Sequence, residues 1–67
     1  MVFTVHRTGF SDIRRIERDA EPIGFALRLA NGQWGAFDRS EKRLTPKNFE
    51  NPRGVCDWFA TDVSQPQ

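Results

Sequence analysis

One cysteine, one histidine, one methionine and no tyrosine occur in 67 residues. A lone Cys56 excludes an intramolecular disulfide, so nothing covalent staples the fold. That suits a reducing compartment such as the cytosol, or a dimer whose interface adds buried area. One Cys and one His are too few for a zinc site, and the acidic residues are scattered rather than set at ligand spacing. His6 and Cys56 could make a thiolate–imidazole pair only if the first strand met the C-terminal helix, and no spacing brings them together. No glycine-rich phosphate loop is present; Gly9, Gly24, Gly32, Gly35 and Gly54 follow turn and strand punctuation instead. No pair of carboxylates stands in an apolar setting. The expectation is a protein without catalytic residues, cofactor or metal. No apolar run approaches membrane-spanning length, and the N-terminus lacks the order of a signal peptide, so a soluble cytoplasmic protein is expected.

What is present is aromatic and arginine-rich. Six Phe and two Trp must do much of the packing in so short a chain, which has room for a single core. The net charge of +1 hides an asymmetry. Residues 1–47 carry nine Lys/Arg against six Asp/Glu, whereas residues 48–67 carry one against three. Eight of the ten bases are Arg, whose planar fork suits carboxylate, phosphate and aromatic contacts. GC-rich codon usage is the plainer account of that bias. Neither half is basic enough to form the stripe of a dedicated nucleic-acid binder.

Along the chain, Val2–Arg7 alternates and is rich in β-branched residues, so it predicts a strand, and Thr8–Asp12 a turn. Ile13–Asp19 is ambiguous. Ile13, Ile16 and Ala20 have helical spacing, but the stripe is thin and Pro22 follows closely, which favours a strand. Ile23–Ala30 and Gln33–Asp38 flank Asn31-Gly32, the strongest short-range hairpin signal. Arg39–Arg43 predicts a solvated connection, and Thr45-Pro46 the start of a single helical turn. Asn51-Pro52 repeats that order before Val55, Trp58 and Phe59, one stripe of a helix running to about Thr61. Ser64–Gln67 predicts a frayed tail beyond a single domain of residues 1–63. The predicted fold class is α+β: an antiparallel meander of three or four strands with one C-terminal helix on one face.

A two-residue type I′ turn at Asn31-Gly32 would set Leu29 opposite Trp34, Leu27 opposite Ala36 and Phe25 opposite Asp38. Phe37 would then lie on the other face with Arg28, and beside Arg39. One helix covers one face only. Either Phe37 is exposed there, or a bulge at Gly35 rotates it inward, or the N-terminal segment folds over it. An exposed aromatic beside arginines has the composition of a protein-binding hot spot or an RNA-stacking platform. Arg28, Phe37 and Arg39 are therefore the candidate contact residues, with Arg14 and Arg15 contributing charge. Local ion pairing with Asp12, Glu17 and Asp19 is the alternative role for the early arginines. The outer strands, Val2–Arg7 and Gln33–Asp38, present edges that could pair with another chain.

In size, absence of catalytic residues and layout, the hairpin Phe25–Phe37 followed by the helix Pro52–Ala60 resembles the small anti-CRISPR proteins of phages and mobile elements. The resemblance covers the layout of most of the chain and includes no diagnostic motif, so no residue is carried over. It implies a cytoplasmic inhibitor in a bacterial host that occupies a surface of a CRISPR effector or another nucleoprotein complex. Direct nucleic-acid binding through the same arginines is the alternative. Membrane association is not expected, and either a monomer or a homodimer is compatible.

Overall fold

A computed structural model describes residues 2–63; the tail expected at Ser64–Gln67 lies outside them. Four strands, β1 (Phe3–Arg7), β2 (Ile13–Arg18), β3 (Glu21–Arg28) and β4 (Trp34–Phe37), form an antiparallel sheet in the order β1-β2-β3-β4. A helix, α1 (Pro52–Trp58), continues into a π-helical turn over Phe59–Val63 and packs on one face. This is the expected α+β meander with a terminal helix, and the ambiguous Ile13 segment is a strand. No helix among the described residues is long and apolar enough to cross a membrane.

The turns explain where the expected register fails. The two-residue turn with positive φ at both centres is Asp19-Ala20 (φ 51° and 70°), which joins the Arg18↔Glu21 pair. Asn31-Gly32 belongs instead to a three-residue loop, Ala30–Gly32, in which Gly32 alone has positive φ (85°). Gly32 N–H donates to Leu29 O (2.9 Å), Leu29 N–H donates to Gln33 O (2.6 Å), and Asn31 Oδ1 accepts from Gln33 N–H (2.9 Å). This is a type I turn closed by a glycine bulge, which needs one left-handed residue rather than two. The register becomes Phe25↔Phe37, Ala26↔Ala36, Leu27↔Gly35 and Arg28↔Trp34. A shift of one residue exchanges the faces of β3 relative to β4. Leu27 therefore lies with Phe37, and Arg28 lies with Trp34, the reverse of the expectation for both.

The core forms on the Trp34 side. Ile16, Ala26, Trp34, Ala36, Phe49, Val55, Cys56 and Phe59 are buried, with Phe3, Val5, Ile23 and Trp58 packed around them. The sheet beneath the helix is built from small residues, Gly24, Ala26 and Ala36, so that the Phe59 ring reaches the backbone. A Cβ placed on Gly24 would lie 2.7 Å from Phe59 Cζ. Between Ile16 and Glu17 the β2–β3 register slips: Ile16 faces Gly24, but Glu17 faces Pro22, leaving Ile23 as the extra residue of a bulge. Pro22 is tolerated there because Glu17, opposite it, turns its backbone groups to β1, so the β2–β3 ladder asks no N–H of Pro22.

The helix begins as the sequence predicts. Asn51 is its N-cap, its Oδ1 accepting the Gly54 N–H at 2.8 Å, and Pro52 opens the first turn. Val55 and Phe59 are fully buried and Trp58 stacks edge-on against Phe59 at 5.3 Å. Thr45-Pro46, by contrast, starts no helical turn. Residues 42–49 run along the outer side of β4 instead. Asp38 N–H donates to Lys42 O, Leu44 N–H to Ala36 O, and Trp34 and Phe49 exchange both bonds (2.7 and 2.8 Å). Arg43 organises this segment: its guanidinium donates to Thr45 O, at longer range to Pro46 O, and to Asn48 Oδ1. The backbone bonds of Lys42, Leu44 and Phe49 to the strand and to Asp38 remove the β4 edge expected to be open.

Candidate functional site: the open sheet face

The face opposite α1 carries Thr4 and His6 from β1, Ile13, Arg15 and Glu17 from β2, Phe25 and Leu27 from β3, and Gly35 and Phe37 from β4. It divides into two halves. The β1–β2 half is polar. Glu17, with its side chain 12% exposed, accepts from Arg15 Nε and lies 3.3 Å from His6 Nε2, which is 2.9 Å from Thr4 Oγ1. The one carboxylate of this half is shared between Arg15 and His6.

The other half is apolar. Thr8, Phe10, Ile13, Phe25, Leu27, Arg39 and Glu41 line a concavity of about 340 Å³. Its floor is the β-sheet itself, through Phe25, Leu27 and Ile13. Its rim is made by two turns, one after β1 carrying Phe10 and one after β4 carrying Arg39 and Glu41. Phe10 is 69% exposed, yet its backbone is fixed. Its carbonyl accepts from Ile13 N–H (3.3 Å) and Thr8 Oγ1, and its N–H donates to Thr8 Oγ1 (3.1 Å). The far rim is also ordered: Asp38 Oδ1 accepts from Ser40 and Lys42 N–H (2.8 and 2.9 Å), and Glu41 takes a positive φ of 63°.

The residues expected to make contacts are distributed over both faces. Phe37 does lie on the open face, half-buried beside Phe25, with no bulge at Gly35 and no N-terminal segment folded over it. Its cationic neighbour is Arg43, 6.0 Å from the ring centroid, rather than Arg28. Arg39 lines the concavity, and Arg15 lies on the polar half, held by Glu17. Arg28 and Arg14 are on the helix side of the sheet. Arg28 lies 3.7 Å from Asp12, and the Arg14 guanidinium sits 5.4 Å over the Trp34 ring while donating to Ser11 O at 2.7 Å. Consecutive residues on a strand point to opposite faces, which alone separates Arg14 from Arg15.

Phe10, Ile13, Phe25 and Leu27 were not singled out from the sequence. The available signal was an aromatic in the otherwise polar turn Thr8–Asp12, and the alternation Phe25–Leu27, which the assumed register assigned to the core. The thiolate–imidazole pair that His6 and Cys56 could have made does not form. His6 is on the open face, whereas Cys56 is buried under the helix on the other side of the sheet, where burial pushes its thiol pKa up. No group of three or more potential metal ligands occurs among the described residues. No protein-family model, curated protein or solved structure matches the chain.

Proposed function

We propose that this chain is a non-catalytic protein-binding module that docks through the apolar half of its open sheet face. The observation that carries this reading is Phe10, a large aromatic 69% exposed on a hydrogen-bonded turn, at the rim of an apolar concavity. An exposed aromatic on a rigid backbone loses little freedom when a partner covers it, and such residues supply most of the affinity at interfaces. Ile13, Phe25 and Leu27 give a floor for one apolar side chain of the partner. Arg39 and Glu41, of opposite sign, supply a rim that selects orientation. The arginines favour a protein over nucleic acid: on this face Arg15 is paired with Glu17 and Arg43 is held by Thr45, Pro46 and Asn48, Arg14 and Arg28 lie on the other, and Arg39 alone makes no phosphate-binding stripe. The resemblance in size and layout to anti-CRISPR inhibitors makes a CRISPR effector complex the specific partner to assay first.

The test is capture of partners from bacterial lysate by the tagged protein, with and without nuclease, compared with Phe10→Ala. Proteins retained by the wild type after nuclease, and lost at least tenfold by the variant, support the reading. Loss of all captured material on nuclease treatment, or equal capture by Phe10→Ala, overturns it.

A further inference from the structure

The two edges of the sheet are treated differently. The β4 edge is covered by residues 42–49, whereas β1 has no strand or loop hydrogen-bonded along its outer side among the described residues. Which groups face outward there is fixed by the ladder. Asp19 N–H donates to Val2 O at 2.8 Å, and β1 pairs with β2 as Thr4↔Glu17 and His6↔Arg15, so the backbone groups of even-numbered residues face β2. The N–H and C=O groups of Phe3, Val5 and Arg7 therefore point away from the sheet. β1 has no proline, no lysine and no bulge, and Arg7 at its end is the one charged residue among those three.

From this arrangement we infer that the chain forms a homodimer by antiparallel pairing of β1 with β1 of a second copy, making one continuous eight-stranded sheet. The occupant is a second copy because the edge is complementary to itself. A two-fold axis at Val5 pairs Val5 with its own symmetry mate and Phe3 with Arg7 of the second copy. That register engages all three outward-facing residues, whereas an axis at Thr4 or His6 strands one of them. It sets no like charges opposite each other, since the one charged residue among the three, Arg7, faces a phenylalanine ring to which a guanidinium is attracted. Phe3 and Val5 are only half-buried within one chain, so pairing covers apolar surface as well as backbone. The two helices lie on the same face of the continuous sheet, and the apolar concavities stay free on the other. The interface is isologous and closed, so it ends at two copies.

Sedimentation equilibrium from micromolar to millimolar concentration, with amide hydrogen exchange read residue by residue, tests this. A dimer is expected, with the amides of Phe3, Val5 and Arg7 slowing at least tenfold as the dimer forms. Arg7→Pro removes an outward N–H without touching the β1–β2 ladder and is expected to weaken the dimer at least tenfold. Arg7→Ala keeps that N–H and loses only the two symmetry-related cation–aromatic contacts, an expected weakening of about 5- to 30-fold, and Arg7→Pro should associate at least tenfold more weakly than Arg7→Ala. A monomer at millimolar concentration overturns the inference. So does a dimer in which these amides exchange freely, protection of them that does not change with concentration, or an Arg7→Pro variant that associates as tightly as the wild type.

Discussion

Substituting glycine for Ala20 and alanine for Gly32 should shift stability in opposite directions, because both positions hold left-handed backbone. Ala20 has φ 70° and Gly32 has φ 85°. An alanine in that region costs about 1–2 kcal/mol from its Cβ against the carbonyl oxygen. Ala20→Gly removes that term but adds about 0.4–1 kcal/mol of freedom to the unfolded chain, leaving a net gain of roughly 0.5–1 kcal/mol. Gly32→Ala has open space around the new Cβ, with nothing within 4 Å, so its effect is backbone strain alone. The unfolded-state term now works the other way, and a net loss of about 0.5–1 kcal/mol is expected. Gly9 is the control: it too has nothing within 4 Å and its φ is not positive, so Gly9→Ala should be neutral or slightly stabilising. For a domain of this size each kcal/mol moves Tm by about 4–8 °C. Urea titrations should show midpoints displaced in those directions at an unchanged slope, since neither turn alters the area exposed on unfolding. If Ala20→Gly destabilises, the left-handed backbone of the β2–β3 turn is wrong; if Gly32→Ala is harmless, that of the β3–β4 loop is wrong, and the register that depends on it falls too.

Gly24→Ala forces a Cβ against Phe59 and the Phe37 carbonyl, and should destabilise by about 1–3 kcal/mol or more, read by the same titration. Asn51→Ala removes the bond from its side chain to Gly54 N–H and should lower stability by about 1 kcal/mol, with a matching loss of helical circular dichroism on mild heating. Cys56 has a raised pKa through burial, partly offset by Arg53, so the folded state prefers the neutral thiol. Its contribution to stability is therefore full below the ordinary thiol value of 9.0 and falls as pH rises beyond it. Unfolding titrations between pH 7 and 10 should show that fall in the wild type and a smaller one in Cys56→Ala. Equal slopes would refute it.

The element sequence was legible because it rests on local signals. Val2–Arg7 alternates, Asn51-Pro52 caps, and the stripe Val55, Phe59 faces the sheet as its spacing requires. The settling of Ile13–Arg18 as a strand is less local. Its Ile16 is fully buried against the helix, whereas Ile13 lines the open face, so the helical spacing of the two isoleucines never reflected one common stripe. The segment 42–49 was illegible for a different reason. It has no alternation and pairs through isolated bonds, and Arg43 folds it by gathering acceptors that sequence spacing does not mark.

The candidate site was half legible. That one sheet face must remain without a helix follows from counting elements; for Phe37 the sequence left that face, a bulge at Gly35 and a covering N-terminal segment as alternatives. The company Phe37 keeps was not legible. Asn31-Gly32 supports two turn geometries that differ by one residue of register, and the sequence at the turn does not choose between them. The choice is made where Trp34 and Ala36 must join Ala26, Ile16 and the helix in one core, a condition involving residues from every part of the chain. By itself, then, the sequence determined strands, helix, cap and fold class, because periodicity and turn chemistry act over a few residues. Only the tertiary structure decided the register, and with it which side chains share the open face, because a one-residue shift of a strand reverses every side chain and is fixed by burial at a distance.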